Sequence, residues 1–282
     1  MKSVLFGVNT QKLQELGVLH LKGVAEADAL EGNRLSSEEH LFCRLWASNQ
    51  LRGELFTKGD RLMRRGEQPE FAHILFKGQA LVSTGDEEFL IGPGAVIGLA
   101  EGLTGAPALW DVRAASLLMT RIIPIDAALQ AVDRADPGLR ALCRVTARHV
   151  LDRGTPPASP REDKALGASA FPVQSWPAGA VLARPGGAPP AMYLVESGEV
   201  EVSGSGAPRR LRAGDVFGES AVFGGEPAET AVAATDLVCT ALSAAQLQSV
   251  LRGQKSLTRP VIEAVMLQMY LHSAIRSAQV PV

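Results

Sequence analysis

Two tandem β-barrels with flanking helices, a mainly β (α+β) architecture, are what this sequence predicts, and three observations predict it. First, Gly59, Gly66, Gly78, Gly94, Gly98 and Gly105 recur 120 residues later as Gly179, Gly186, Gly198, Gly214, Gly218 and Gly225. Pro69 and Pro107 recur in the same register as Pro189 and Pro227. A period of this kind marks a duplicated structural unit. Second, short apolar runs at 74–76, 80–82, 89–91 and 116–119 are separated by Gly, Pro and Asp. Turn signals at such spacing read as a β-sandwich or barrel. Third, residues 153–172 hold several prolines among small and charged residues, as a linker between halves does.

The elements follow in order. Residues 1–35 form an N-terminal extension whose apolar runs at 4–8 and 18–21 suit either strands or a small helical piece. Residues 36–152 form the first unit. Ser36 and Glu39 make a capping box, and Leu41, Phe42, Leu45 and Trp46 repeat at helical spacing, which predicts a helix over 37–51. Strands occupy 56–121. Helices follow at 125–132 and 137–152, the latter with Pro137 at its start. After the linker, the second unit spans 173–282. Its strands run from 176 to 240, and helices are predicted over 242–251 and 260–278. The last helix carries Ile262, Val265, Met266, Met269 and Ile275. That stripe must pack on its own barrel, the other half or a second molecule.

A net charge of −2 and a pI near 6.2 give no global attraction to nucleic acid or to an anionic membrane. No run of apolar residues is long enough for a membrane span, and the N-terminal run is too short for a signal peptide. Cys43, Cys143 and Cys239 are too dispersed for a disulfide framework or a metal site, so a reducing cytoplasm is the expected setting. The histidines (His20, His40, His73, His149 and His272) show no ligand spacing. Local catalytic signatures are missing, and neither an enzyme nor a cofactor is expected.

The richest motif is Gly214-Asp215-Val216-Phe217-Gly218-Glu219-Ser220-Ala221, followed by Pro227-Ala228-Glu229-Thr230. With Gly179, Gly186 and the run 193–200, it resembles the cyclic-nucleotide-binding domain family, the jelly-roll-like effector barrel of catabolite-activator and FNR-like regulators and of kinase regulatory subunits. The resemblance covers roughly 40–152 and 172–278. It implies a phosphate-binding cassette: a glutamate that meets a ribose hydroxyl, helix-start N–H groups, and an arginine nine residues on that holds the cyclic phosphate. In the second unit Glu219 takes the ribose position, beside Gly218, Ser220 and Ala221. The arginine position falls on Ala228, and Glu229 and Thr230 come next. In the first unit Gly98, Leu99 and Ala100 open the cassette, the arginine position is Ala108, and Leu109 and Trp110 follow. Losing one partner of a desolvated charge pair costs about 2–5 kcal/mol. The expectation is that neither unit binds cAMP or cGMP in the usual way, the first being filled with apolar bulk and the second open to an unusual or uncharged ligand. Glu219 also suits a helix-capping role, and Trp110 and Trp176 suit the core.

Two arginine clusters remain: Arg61, Arg64 and Arg65, and Arg209, Arg210 and Arg212. The first is an alternative anion site, suited to a cyclic dinucleotide; both also suit a solvated charged face. Promoter-binding relatives append a helix-turn-helix module, which this sequence does not show after its last helix, so DNA is not an expected partner. The expected function is a non-enzymatic regulatory or adaptor protein that acts through an unidentified protein partner, with a homodimer through the C-terminal helix. The alternative is a sensor of a nucleotide second messenger. A DNA-binding regulator and a cupin-like enzyme rank behind these.

Overall fold

The structure, a computed structural model, describes residues 4–20, 23–24, 35–84, 87–151, 171–185, 191–204, 208–218, 229–254 and 257–278. It divides into two compact units, one of 1–134 with 255–282 and one of 135–254.

In the first unit, β1 (Val4–Phe6), α1 (Thr10–Glu15), β2 (Leu19–His20) and β3 (Gly23–Val24) precede α2 (Ser37–Ala47). Eight strands follow: β4 (Arg52–Phe56), β5 (Arg61–Met63), β6 (Phe71–Lys77), β7 (Ala80–Ser83), β8 (Glu88–Ile91), β9 (Val96–Ile97), β10 (Asp111–Ala114) and β11 (Leu118–Pro124). The short helix α3 (Leu99–Thr104) sits between β9 and β10, and α4 (Ile125–Asp133) follows β11. One sheet has the order β1-β8-β7-β10-β5 and the other β4-β11-β6-β9. The predicted capping box forms, with Ser36 and Glu39 bonding each other's backbone N–H. Glu39 also receives Lys12 Nζ at 2.7 Å, which ties α1 to α2. The N-terminal extension is part of the barrel: β1 lies parallel to β8, and Gly92 N–H donates to the Phe6 carbonyl at 2.8 Å.

The second unit opens with α5 (Pro137–Leu151) and continues with β12 (Val173–Trp176), β13 (Val181–Ala183), β14 (Met192–Ser197), β15 (Val200–Ser203), β16 (Arg209–Leu211), β17 (Val216–Phe217), β18 (Thr230–Ala233), β19 (Leu237–Leu242) and α6 (Ala244–Arg252). Its sheets are β12-β19-β14-β17 and β13-β18-β15-β16. Without β1 these are the orders of the first unit, so the duplication seen in the glycines is a duplication of topology. All but two residues of the expected linker (153–172) lie outside the described residues.

Strand register corrects one feature of the repeat. Phe56 pairs with Leu118, and its counterpart Trp176 pairs with Leu237. Gly59 N–H reaches the Ala114 carbonyl, while Gly179 N–H reaches Ala233. From β10 and β18 onward the offset is therefore 119, not 120; the second unit is one residue shorter between the cassette glycine and the next strand. In structural terms Trp110 corresponds to Glu229 and Asp111 to Thr230.

The final helix α7 (Thr258–Ala278) departs from the expected boundary. It belongs to the first unit, where it packs on α2, α4, α3, β1 and β9. The cause is burial: Val261, Ile262, Val265, Met266, Leu267, Leu271 and Ile275 are all nearly inaccessible. A helix apolar on several faces needs a groove with several walls, which the helices of the first unit supply. Each barrel has its own aromatic core: Phe42, Trp46 and Phe76 in the first, and Trp176, Tyr193 and Phe217 in the second.

Gly78 and Gly198 show what the repeated glycines do. Both have φ of +89°, and a Cβ at either would collide with a backbone carbonyl, of Leu117 or of Asp236. Gly179 has φ of +84° but open space around it. Gly198→Ala should therefore destabilise the second unit by more than the roughly 1–3 kcal/mol of left-handed strain alone, and Gly179→Ala by no more than that strain. Urea unfolding of the two variants checks the order.

Candidate functional site

The cassette of the first unit is built where β9 ends. Val96 and Ile97 pair with Ile74 and His73 of β6, and the chain turns at Gly98, with φ of +81°. A Cβ there would sit 3.0 Å from the Phe71 carbonyl oxygen, so the turn needs glycine. Leu99, Ala100 and Glu101 then enter α3 fully buried. Ala108 is fixed by backbone bonds in both directions, to Gly66 N–H and from its own N–H to the Glu67 carbonyl, each 2.8 Å.

The helix α7 packs against this cassette. Ala100 N–H donates to Gln268 Oε1 at 2.8 Å, and Gln268 Nε2 donates to Glu101 Oε2 at 2.8 Å. Gln268 and Glu101 are both fully buried. One turn on, His272 stacks on Trp110 with ring centroids 4.5 Å apart. Leu271 and Ile275 join Ala108, Trp110, Val82 and Ile91 in one apolar cluster. Leu109 is partly buried against the same cluster.

Burial pushes the Glu101 carboxyl above its ordinary range, opposed by backbone N–H groups and by Gln268. Its Oε1 has no hydrogen-bond partner among the described residues. Glu263, also on α7, is raised by burial too, opposed by Arg259 at 3.0 Å and Arg44 at 3.9 Å.

In the second unit Gly218 keeps the positive φ of +75°, and Phe217 pairs with Tyr193. Glu219, Ser220, Ala221 and Ala228 lie outside the described residues. Glu229 is paired: Arg209 Nη2 meets its Oε2 at 2.7 Å. Thr230 pairs with Ser203 at the start of β18. The second arginine cluster is neutralised throughout, since Arg210 bridges to Glu199 and Glu201, and Arg212 to Glu199.

The structure splits the first arginine cluster. Arg61 and Arg64 line a cavity of about 300 Å³ with Glu67, Glu70, Phe71 and His73, whereas Arg65 donates to the Thr84 carbonyl. Arg64 is paired with Glu67 at 3.2 Å. Glu67 thus offsets Arg64, and Glu70 adds a second carboxylate to the lining. Burial holds the His73 imidazole neutral by lowering its pKa to about 4. The three cysteines are buried, with thiols pushed up to about 12 by desolvation. Among the described residues no helix is long and apolar enough to cross a membrane.

Sequence reasoning missed Gln268, His272 and Glu101. The available signal was the interruption of the α7 stripe by Glu263, Gln268 and His272, polar residues at positions that a purely structural helix would fill with apolar ones.

Glu101 supplies a pH test. A carboxyl with a raised folded-state pKa contributes stability that is full below its unfolded pKa of about 4.3 and is lost as pH rises through the folded value. Glu101→Gln stays neutral, so its stability relative to wild type should grow as pH rises above that point and then level off. Thermal unfolding across the acid-to-neutral range measures this; a difference independent of pH would contradict the assignment.

Comparison with known proteins agrees with this geometry. Residues 173–254 match the cyclic nucleotide-binding domain family. A cAMP-dependent protein kinase regulatory subunit from Eremothecium gossypii is 28% identical over 228 residues, which is 78% of this chain and 46% of the relative. The chain thus spans less than half the length of that curated relative. Among solved structures, the regulatory subunit of a cAMP-independent protein kinase A from Trypanosoma cruzi, bound to guanosine, aligns with a TM-score of 0.34 and 17% identity over 87% of this chain and 94% of that one. The regulatory domain of Toxoplasma gondii protein kinase A with cAMP gives 0.31 and 19% over 97% and 100%. Residues 173–254 thus match the cyclic nucleotide-binding domain family, and the first unit repeats the sheet order of the unit that contains them.

Proposed function

We propose that this chain is a non-enzymatic regulatory protein that works through protein contacts, with its first unit permanently filled from within. The observation that carries this reading is the hold of Gln268 on Ala100 N–H and Glu101. A buried donor at the cassette start is the group that an external anion would need. It is already satisfied, and Trp110, His272 and Leu271 occupy the space beside it. The name of the Eremothecium relative, a kinase regulatory subunit, supports a protein partner. The buried thiols suit a reducing cytoplasm, and neither DNA nor a membrane is among the proposed partners.

A second reading keeps a ligand role for the second unit alone, as a sensor of a nucleotide second messenger. It is favoured by Arg209, a cation beside the cassette whose exposed ion pair with Glu229 is worth little and can be exchanged for a ligand anion. Cyclic dinucleotide binding at Arg61, Arg64 and Arg65 gains less support, because Arg65 is turned away and the others face Glu67 and Glu70.

Isothermal titration with cAMP and cGMP tests the proposal. Wild type should give no saturable heat at micromolar ligand. Ala228→Arg should strengthen binding by at least about thirtyfold, the low end of the value of a desolvated charge pair. Ala108→Arg should not, because that site is enclosed. Micromolar binding to wild type would refute the reading.

A further inference from the structure

The outer face of the five-stranded sheet β1-β8-β7-β10-β5 carries a pairing that works against the fold. Arg61 of β5 stands directly opposite Arg113 of β10, and both are exposed. Like charges placed opposite each other on neighbouring strands are destabilising, their Cβ atoms being about 5 Å apart. Arg113 donates to the Gly59 carbonyl at 3.2 Å, and no carboxylate among the described residues pairs with either guanidinium. The carboxylate of Asp60, next in the chain to Arg61, is engaged by Thr57 at 2.7 and 2.8 Å. The barrel itself does not need this pair. In the second unit the same register position joins Val181 to Val232. There the arginines of the corresponding sheet, Arg209 and Arg210, each meet a glutamate.

The register extends the row. Arg113 pairs with Leu81, Leu81 with Leu90 and Leu90 with Val4. Residues paired in this way share one face of a sheet. Leu81 and Leu90 are half-buried and stand outside the core cluster of the barrel, and Val4 is 43% exposed. One row across the strands is thus cationic at the β5 end and aliphatic at the β1 end. Its inter-strand steps add up to about 19 Å, the length of about three and a half helical turns. Resting on the reading that the protein acts through protein contacts, we propose that this row docks a helix of a partner protein. The apolar stripe of that helix begins with two acidic residues and continues with leucines or valines. Its acidic end lies over Arg61 and Arg113, where charge-assisted hydrogen bonds take the place of repulsion. Its aliphatic turns cover Leu81, Leu90 and Val4. The open face suits a segment of a macromolecule, since small molecules are held in concavities. The charge at one end alone fixes the direction in which the helix lies.

The test uses the full chain and a fluorescent helical probe of about 16 residues, followed by anisotropy. The probe has two glutamates in the first turns of its stripe and leucines in the rest. Binding should saturate and weaken as salt is raised. It should fall by about tenfold or more when Arg61→Val and Arg113→Val are combined, which installs the residues of the second unit. Leu81→Gln should weaken it severalfold by removing apolar surface from the row. A probe with lysines in place of the two glutamates should not bind. Urea unfolding should find the double valine variant at least as stable as wild type, which separates loss of binding from loss of fold. The proposal is overturned if the glutamate probe does not bind, if the lysine probe binds as well, if the double variant binds unchanged or is the less stable, or if Leu81→Gln has no effect, which would leave an anion site only. A dimer seen by light scattering and abolished by the two valines would assign the face to a second copy of this chain and overturn it too. Cyclic-nucleotide titration is a separate measurement, so a failure here is distinguishable from a failure of the filled-cassette reading.

Discussion

A single buried carboxamide, clasped between a backbone N–H and a carboxyl, is the contact that the first half of the molecule depends on. Gln268 has one acceptor and one donor directed at Ala100 and Glu101, and each finds its match at 2.8 Å. Taking an ion out of water costs several kcal/mol even after relaxation, and an opposite charge must offset it. A neutral amide satisfies the same N–H without that demand. Ala108 lies buried in the apolar cluster, where a guanidinium would itself be a buried charge without a counter-ion. Trp110 fills the volume instead and finds a flat partner in His272.

The two halves share sheet orders but satisfy their polar groups differently. In the first, Gln268, Ala100 and Glu101 are bonded to one another and fully buried. In the second, Arg209 pairs with Glu229, and Arg210 and Arg212 pair with Glu199, all partly exposed. Exposed pairs of this type are worth up to about 1 kcal/mol each and rearrange readily.

Local chemistry was legible in the sequence where it was self-contained. The capping box at Ser36 and Glu39, the glycines at 78 and 98 and the tandem barrels all followed from spacing, because each depends on residues close in the chain or on backbone conformations that only glycine takes freely. What failed to show was set by distance along the chain. The stripe of α7 said that the helix must be buried but not where, and its groove is built by α2, α3 and α4, all of which precede the whole second unit. The one-residue deficit after Gly218 was hidden because Pro107 and Pro227 keep the older register although the strands that follow do not. The pairing of Glu229 did not show because its partner, Arg209, comes from a strand twenty residues earlier.

The split of the first unit around the second also sets an order of assembly. Domains tend to fold as they leave the ribosome, the earliest made first. Here the barrel translated first lacks its closing helix until residues 258–278 have been made, whereas the barrel translated second has all its parts by residue 254. The later half can thus mature ahead of the earlier one, and until α7 is made the nascent chain carries an open apolar trough, a natural client surface for a chaperone.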